Sequence, residues 1–298
     1  MSVLTEPVSA PLASRHRLQP HVYFLSLSLA TVGGITSAAT FFIPNVLLGP
    51  EVTKGNARGT ALVMLVLATP LLLASMWFSR QGSWRAPFFW LGSLFYLAYN
   101  AFLLLFLTPF NSLFLLYVAT QSLAIFAIFA LAPTVDVHWM VGQIRRFPRR
   151  ALAALIWIIV AFNALAWLQV VVPAVLADDP RSFLEGLGVA TNAIYVQDLV
   201  VWLPLMALAS WWMWKGRALG ILLTGSWLAF GVLESIGIAV DQWFGHQADP
   251  TSPHASVEVI PIMIGLAIIN LAGLYFYLRG RREATVGLRI EEHEEVLT

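Results

Sequence analysis

Long apolar runs separated by short polar segments fill the chain between residues 22 and 278. An α-helix needs about 20 apolar residues to cross the hydrocarbon core of a bilayer, and the runs approach or exceed that length. The pattern predicts an all-α integral membrane protein, a single bundle of eight transmembrane helices. The predicted spans are residues 22–47, 60–79, 86–109, 112–135, 151–177, 195–214, 218–240 and 259–278.

The sixth span is extended because its charge-free run, residues 199–214, is too short to cross. We therefore expect it to continue back through Asp198 toward Tyr195 or beyond. Residues 178–185, just before this span, read as a short helix at the outer surface, with Asp179 as its N-cap and Pro180 at its first position.

The polar ends of the chain predict two cytoplasmic tails, residues 1–21 and residues 279–298, around a membrane domain of residues 22–278. Cleavage of the first run as a signal peptide near residues 37–39 is the alternative, but the hydrophobicity continues beyond those positions.

Composition and loop charge agree with this topology. Hydrophobic residues make up 59% of the chain and charged residues 11%, against about 25% charged in a soluble domain. In an eight-span arrangement, all of the 17 Lys and Arg residues except Lys54, Arg58 and Arg181 fall on the side of the two termini. The positive-inside bias therefore predicts both termini in the cytoplasm, with the chain in the cell membrane.

Several classes of protein are excluded. The chain has no Cys, which removes thiolate metal sites, disulfides and Cys nucleophiles. Its only lysines, Lys54 and Lys215, fall in predicted loops, so no lysine within a span is available to form a Schiff base with retinal. The six His residues lie away from the middles of the spans, which disfavours membrane haem ligation. Neither a Walker-type loop nor a basic face for nucleic acid is present.

Glu234 is a carboxylate inside the seventh apolar run. An ionisable group at the bilayer centre costs roughly 2.5–3.5 kcal/mol on insertion scales, so we expect compensation. Gly231 and Gly237 flank it on the same side of the helix and allow a backbone or a ligand to approach. Asp241 continues that side about 10 Å further along. The alternative is a protonated Glu234 bonded to a neighbouring helix, but intramembrane acids are usually functional.

Asp198 and Glu234 are equally far from Gly216 in the turn between the sixth and seventh spans. In an antiparallel pair both would lie about 27 Å above that turn. The spacing allows two arrangements: the two acids face each other, or each is directed to a different neighbour. If they face each other, both cannot ionise cheaply in a low-dielectric site, and one holds a proton or a cation neutralises the pair. That is what a proton relay or cation site requires.

Neutral polar residues gather in the same outer half. In the hairpin of the third and fourth spans, Asn100 is level with Gln121, with Tyr99 beside Asn100 and Tyr117 beside Gln121. A single Asn or Gln in a membrane helix is usually a contact between helices. Together they predict a polar cavity open to the outside. The predicted residues for an ion, a proton or a ligand are Glu234, Asp198, Asp241, Asn100, Gln121, Tyr99 and Tyr117.

The last outer loop, predicted over residues 241–258, contains Asp241, His246, Asp249, His254 and Glu258. These residue types bind zinc or perform acid–base chemistry elsewhere. Their spacing matches no metal motif, so we predict neither a metal, a cofactor nor a catalytic residue.

An internal repeat is not predicted. Similar stretches begin at Gly92-Ser93 and Gly225-Ser226, and four-helix halves would form a parallel repeat, but nothing else aligns.

Two functional hypotheses follow, and no motif assigns the chain to a family. The favoured one is a carrier or channel for a small solute or ion, with a carboxylate-based proton or cation site in the outer half of the membrane. The alternative is a membrane-embedded enzyme or sensor that acts at the outer face through residues 241–258. The expected partners are the lipid bilayer and an unidentified small solute or ion; enzymatic activity is not expected.

Overall fold

The computed structural model describes residues 18–144 and 148–279, so the predicted tails fall almost entirely outside the described residues. Within these ranges the chain is helical and forms no β-strand. Eight of its helices are long and apolar enough to cross a membrane. We label these helices α1 to α8: Pro20–Phe42, Glu51–Arg80, Ala86–Phe106, Phe114–Thr134, Arg149–Val175, Ala193–Trp214, Ala218–Ala248 and Val259–Leu278.

Local chemistry explains several helix ends. Helix α1 stops at Phe42, short of the predicted end at residue 47, because Pro44 forces the preceding Ile43 into an extended conformation. The sixth span does extend beyond Asp198, as predicted, and begins at Ala193. The short helix before it is also present as the 3₁₀-helix Pro180–Leu184, with the Asp179 side chain accepting a hydrogen bond from the N–H of Arg181.

Two predicted loops are wrong because they are partly helical. Helix α2 begins at Glu51 rather than residue 60, and α7 continues to Ala248 rather than ending at residue 240. The segment that starts at Asp241 is therefore two helical turns followed by a loop from Asp249. Polar residues can remain helical here because the N-terminal end of α2 and the C-terminal end of α7 pack on each other.

Two glycines on α2 make that packing close. A Cβ atom on Gly59 would lie 2.5 Å from the Cα of Asp241, and one on Gly55 would lie 2.8 Å from the Cα of Gly245. The Gly-x-x-x-Gly spacing puts both residues on one face, as in other close helix pairs in membranes. The backbone of α7 thus rests directly on α2 at the level of Asp241.

Helices α3 and α7 form the centre of the bundle. In their most apolar stretches, 78% of α3 residues and 67% of α7 residues are buried, against 22% in α5 and 17% in α8. The outer helices turn large apolar side chains outward, among them Phe162 and Leu165 of α5 and Ile268 of α8. Such a surface suits lipid rather than water.

Two helices share an irregularity that the sequence analysis did not predict. Helix α2 includes a five-residue π-helical turn, Met64–Ala68, followed by Pro70. Helix α6 includes a π-helical turn of the same length, Asp198–Trp202, followed by Pro204. The wider turn accommodates a proline that lacks an N–H and crowds the preceding turn. The second helix of each four-helix half therefore has the same irregularity at the same place.

The third helices of the two halves pack on each other reciprocally. A Cβ atom on Gly92 of α3 would lie 2.8 Å from Ala229 and from the carbonyl oxygen of Ser226 on α7. A Cβ atom on Gly225 of α7 would lie 2.6 Å from Phe88 on α3. The two Gly-Ser stretches noted in the sequence thus meet at the junction between residues of α1–α4 and residues of α5–α8.

Candidate functional site

Glu234 lies midway along α7, where α7 packs on α3. Asn100 of α3 donates from its Nδ2 atom to Glu234 Oε2 over 3.1 Å, and from the same atom to the backbone carbonyl of Tyr96 over 3.1 Å. Asn100 itself is buried. The structure therefore brings together Glu234 and Asn100, two of the predicted site residues, across the contact between the central helices.

The glycines that flank Glu234 admit polar side chains from two other helices. A Cβ atom on Gly231 would lie 2.7 Å from Asn270 Oδ1 of α8. A Cβ atom on Gly237 would lie 2.7 Å from the Tyr96 hydroxyl of α3. The close approach expected at these glycines is made by protein side chains, an amide on one side and a phenol on the other.

Asp198 is the first residue of the π-helical turn in α6 and is buried. Its Oδ2 atom accepts a hydrogen bond of 2.7 Å from the indole N–H of Trp167 on α5. The Tyr99 side chain lies beside the same carboxyl group. Gln197, the preceding residue, donates to the Tyr99 carbonyl over 3.4 Å and accepts from Trp202 over 3.1 Å.

Tyr99 lies within electrostatic range of both carboxyl groups. Asp198 and Glu234 both interact electrostatically with Tyr99, and they interact with each other. The two acids that the sequence placed at one level therefore approach the same tyrosine, one from α6 and one from α7.

Asp241 lies two turns beyond Glu234 on α7. The Gln242 side chain donates to Asp241 Oδ1 over 3.2 Å and accepts from the N–H of Ser256 over 2.9 Å. Asp241 also interacts electrostatically with Glu234 and with Tyr96. A series of polar groups therefore runs from the middle of α7 to the loop that follows it.

None of these three carboxyl groups is paired with a base. In the described part of the chain, the ion pairs are Lys54 with Glu51 and Arg181 with Asp179, both on the surface. No Lys, Arg or His there reaches Asp198, Glu234 or Asp241 at ion-pairing distance. Taken together, the three acids lack the internal cation that usually compensates buried negative charge.

Tyr117 and Gln121 occupy a different interface. The Tyr117 hydroxyl is 3.2 Å from the hydroxyl of Thr40 on α1, and Thr120 is 2.9 Å from Thr36. This face of α4 therefore packs on α1 rather than on Glu234. The Oε1 atom of Gln121 is buried without a hydrogen-bond partner. Their role in a polar path stays a prediction.

Aromatic rings fill the space on the other side of the carboxyl groups. Trp202 of α6 stacks on Phe230 of α7 with 5.9 Å between ring centroids, and Phe95 of α3 stacks on Trp227 of α7 at 4.6 Å. Tyr99 contacts this aromatic cluster through Trp202 at 5.7 Å. The cluster lies toward the predicted inner face, because these residues precede Glu234 along α7 and follow Asp198 along α6.

The loops at the predicted outer face contain the residues of the alternative hypothesis. His254 Nε2 is 2.7 Å from the carbonyl oxygen of Glu185, which joins two loops. The hydroxyl and N–H of Thr251 donate to Asp249 and hold the pKa of that carboxyl below its usual value. Among residues 18–144 and 148–279, no three His, Asp or Glu side chains form a group suited to a metal ion.

The predicted site residues do not include Tyr96, Trp167 or Gln197. The sequence places Tyr96 on the same side of its helix as Tyr99 and Asn100, one helical turn before Asn100, so it could have been included. Trp167 could not, because nothing in the pattern of α5 indicates which neighbour its indole meets.

Eight apolar helices indicate a multi-pass helical membrane protein, and near its central contact lie the buried Asp198 and the half-buried Glu234 and Asp241. No family model, curated protein or solved structure matches the chain.

Proposed function

We propose that this protein is a carrier or channel for a small solute or ion, and that Asp198, Glu234 and Asp241 form its proton or cation site. The observation that carries the proposal is the placement of three acids among the helices without a basic partner: Asp198 is buried, and Glu234 and Asp241 are half-buried. An isolated buried carboxylate costs several kcal/mol, so each acid must hold a proton or attract a cation. Holding a proton and attracting a cation are both forms of ion binding.

The position of the site supports transport. In many transporters built from repeats, the substrate and coupling-ion sites lie at the interface of the repeats, on helices whose regular hydrogen bonding is interrupted. Here Glu234 and Asn100 join the third helices of the two halves, and Asp198 begins a π-helical turn. Such turns are frequent at functional sites.

The surroundings favour a carrier over an open channel. The aromatic cluster of Phe95, Tyr99, Trp202, Trp227 and Phe230 closes the predicted inner side of the carboxyl groups. The polar groups at Asp241 and Gln242 lead toward the predicted outer face. An aromatic barrier on one side of the carboxyl groups and polar groups on the other are compatible with one state of an alternating-access cycle.

The orientation belongs to the same proposal. We place both termini in the cytoplasm and the chain in the cell membrane, because loop charge is concentrated on the side of the termini. Gln121 and Tyr117 remain proposed lining residues of the path, in a state in which α4 moves away from α1.

The test uses the purified protein in proteoliposomes. Gradients of H⁺, Na⁺ or K⁺ are imposed in turn, and ion movement is followed with trapped dyes and with capacitive currents on solid-supported membranes. We expect Glu234→Gln to abolish the ion-dependent signal and Glu185→Gln, an exposed loop position, to keep it. Equal signals from Glu234→Gln and the unaltered protein would overturn the proposal.

The enzyme or sensor hypothesis makes the opposite prediction. If it is correct, function depends on His246 and His254 and is retained when Glu234 is replaced by a neutral residue. The contact between His254 and the Glu185 carbonyl is the observation that keeps this hypothesis open, because it gives the loops a defined arrangement. Loss of function in His246→Ala and His254→Ala, with function retained in Glu234→Gln, would favour it.

A further inference from the structure

The Tyr96 hydroxyl is a buried polar group with no hydrogen-bond partner. The Tyr96 side chain is fully buried, and its hydroxyl oxygen contacts no donor or acceptor within hydrogen-bonding geometry. Native proteins rarely leave a hydroxyl in this condition, because its hydration is lost and nothing replaces it. An unpaired group of this kind points to a partner that binds there during function.

Its position on α7 is specific. The hydroxyl rests against Gly237, where a Cβ atom would come within 2.7 Å of it. Gly237 is one turn after Glu234 and one turn before Asp241. Tyr96 interacts electrostatically with both acids. The unpaired hydroxyl therefore lies between two carboxyl groups that belong to the proposed ion site.

The spacing of these acids excludes one shared metal ion. Seven residues of α-helix separate Glu234 from Asp241, which is about 10 Å along the axis. Oxygen ligands on opposite sides of a hard cation are only about 5 Å apart. A hydroxyl halfway between two acids instead has the spacing of a hydrogen-bonded relay with one water on each side.

The two acids are less enclosed than the phenol between them. Glu234 and Asp241 each retain intermediate accessible surface, whereas Tyr96 has none. A relay through the phenol therefore requires one water between Tyr96 and each carboxyl group.

The polar and titratable groups near Tyr96 are contributed by a small number of neighbouring helices. Helix α2 presents Gly55 and Gly59 to this part of α7, and α3 contributes Asn100. From α6, Asp198 approaches through Tyr99. Helix α8 places Asn270 at Gly231. Acids and neutral polar groups thus surround the hydroxyl, and no described basic side chain forms an ion pair with any of these acids.

We infer that Tyr96 is the relay hydroxyl of a proton path that connects Glu234 with Asp241 and the predicted outer face. In one transfer, the protonated Glu234 carboxyl gives its proton to a bridging water, and that water gives one to the Tyr96 oxygen. The phenol releases its original proton through a second water to the Asp241 carboxylate. Tyr96 ends neutral, Glu234 is ionised and Asp241 is protonated. The inference rests on the proposed function and identifies its coupling ion as the proton.

The two ends of the path differ. Asp241 bonds to Gln242, and Gln242 bonds to Ser256 in the loop, so protons are exchanged with water at that end. On the other side of Glu234 the aromatic cluster interrupts the polar series. Protons therefore reach Glu234 from the predicted outer face in this state.

Infrared difference spectroscopy on the full-length protein in lipid tests the relay directly. A pH jump is applied, and the carbonyl band of protonated Glu234, identified by its loss in Glu234→Gln, is followed in time. We expect Tyr96→Phe to slow the response of this band by roughly tenfold or more and to leave its final amplitude unchanged. Its midpoint of thermal unfolding should stay equal or rise, because the variant removes an unsatisfied hydroxyl.

Tyr277→Phe is the matched control. The Tyr277 hydroxyl donates to the carbonyl of Ile221, far from the acids, so the control should unfold at lower temperature and keep the rapid response. Proton flux into proteoliposomes, driven by a potassium diffusion potential and reported by pyranine, is measured on the same variants.

The outcomes separate the two proposals. A rapid band response in Tyr96→Phe, with the band still lost in Glu234→Gln, overturns the relay and leaves the ion site in place. Absent flux in the unaltered protein overturns transport, while the band kinetics still decide the relay. A slow response with reduced flux supports both.

Discussion

Asn100 and Glu234 are hydrogen-bonded to each other across the contact between α3 and α7. They are 134 positions apart, the same interval that separates Pro70 of α2 from Pro204 of α6. Their contact lies where α1–α4 meet α5–α8, at the centre of the bundle.

The chemistry of this contact depends on its two residues being different. Two glutamates in contact there would repel each other, and two asparagines would provide no ionisable group. The amide of Asn100 and the acid of Glu234 form a complementary pair. The contact between α3 and α7 thus places an ionisable group beside a neutral hydrogen-bond donor.

The first prediction concerns this pair. Asn100→Leu should lower stability by about 1–3 kcal/mol, because it leaves the Glu234 carboxyl without its buried donor. Glu234→Gln should cost less, since its amide oxygen can still accept from Asn100. The double replacement Asn100→Leu with Glu234→Leu should cost less than the sum of its single changes. Intrinsic fluorescence of the 12 Trp residues reports the unfolding midpoint.

An unfolding midpoint of Asn100→Leu equal to that of the unaltered protein would contradict the prediction. It would mean that the hydrogen bond contributes nothing to the contact between α3 and α7.

The second prediction concerns the contact between α2 and α7. Gly59→Ala should lower stability by about 1–3 kcal/mol, because the added methyl group meets the α7 backbone at Asp241. Gly34→Ala is the control, since a Cβ atom on that α1 residue has no atom within 4 Å. The control should be neutral or slightly stabilising, as expected for Ala in place of a helical Gly. Equal unfolding midpoints for the two variants would contradict the observed packing.

The number of spans could be predicted because apolar length is a property of the sequence alone. The extension of the sixth span through Asp198 was predictable for the same reason, since the charge-free run was too short to cross. The helical turns at Asp241 were not predictable from polarity. They depend on Gly55 and Gly59, which are distant in sequence and cover the polar face of α7.

Counting residues along a helix predicts depth but not direction. The count from the turn predicted Asp198 and Glu234 at one level, and in the structure both interact electrostatically with Tyr99. The same count gave no direction for Tyr117, which packs on α1. The irregularity shared by α2 and α6 was not predicted, although Pro70 and Pro204, each within an apolar run, were a signal for it.

The third prediction concerns orientation. Because the chain has no Cys, single cysteines can be introduced without a background. With a membrane-impermeant maleimide on intact cells, Ser252→Cys should be labelled and Gly142→Cys should react only after permeabilisation. Both positions suit the test, since Ser252 lies in the loop before α8 and Gly142 is exposed with open space around it. Tags at residues 1 and 298 should both be cytoplasmic. External labelling at Gly142 would invalidate the orientation assigned from loop charge.

The fourth prediction concerns coupling between Asp198 and Glu234. If the two acids share a proton or a cation, neutralising one changes the ionisation of the other. Asp198→Asn and Glu234→Gln should then have non-additive effects on the pH dependence of the unfolding midpoint.

Asp179→Asn combined with Glu234→Gln is the control. Arg181 lowers the pKa of the exposed Asp179. The contribution of their interaction to folding stability is therefore present above the ordinary pKa of Asp179 and is lost only as the pH falls through the lowered pKa. Near neutral pH it is constant, and this pair should be additive. If Asp198→Asn and Glu234→Gln also add to within about 0.5 kcal/mol at every pH, each acid serves a separate neighbour and the shared site is wrong.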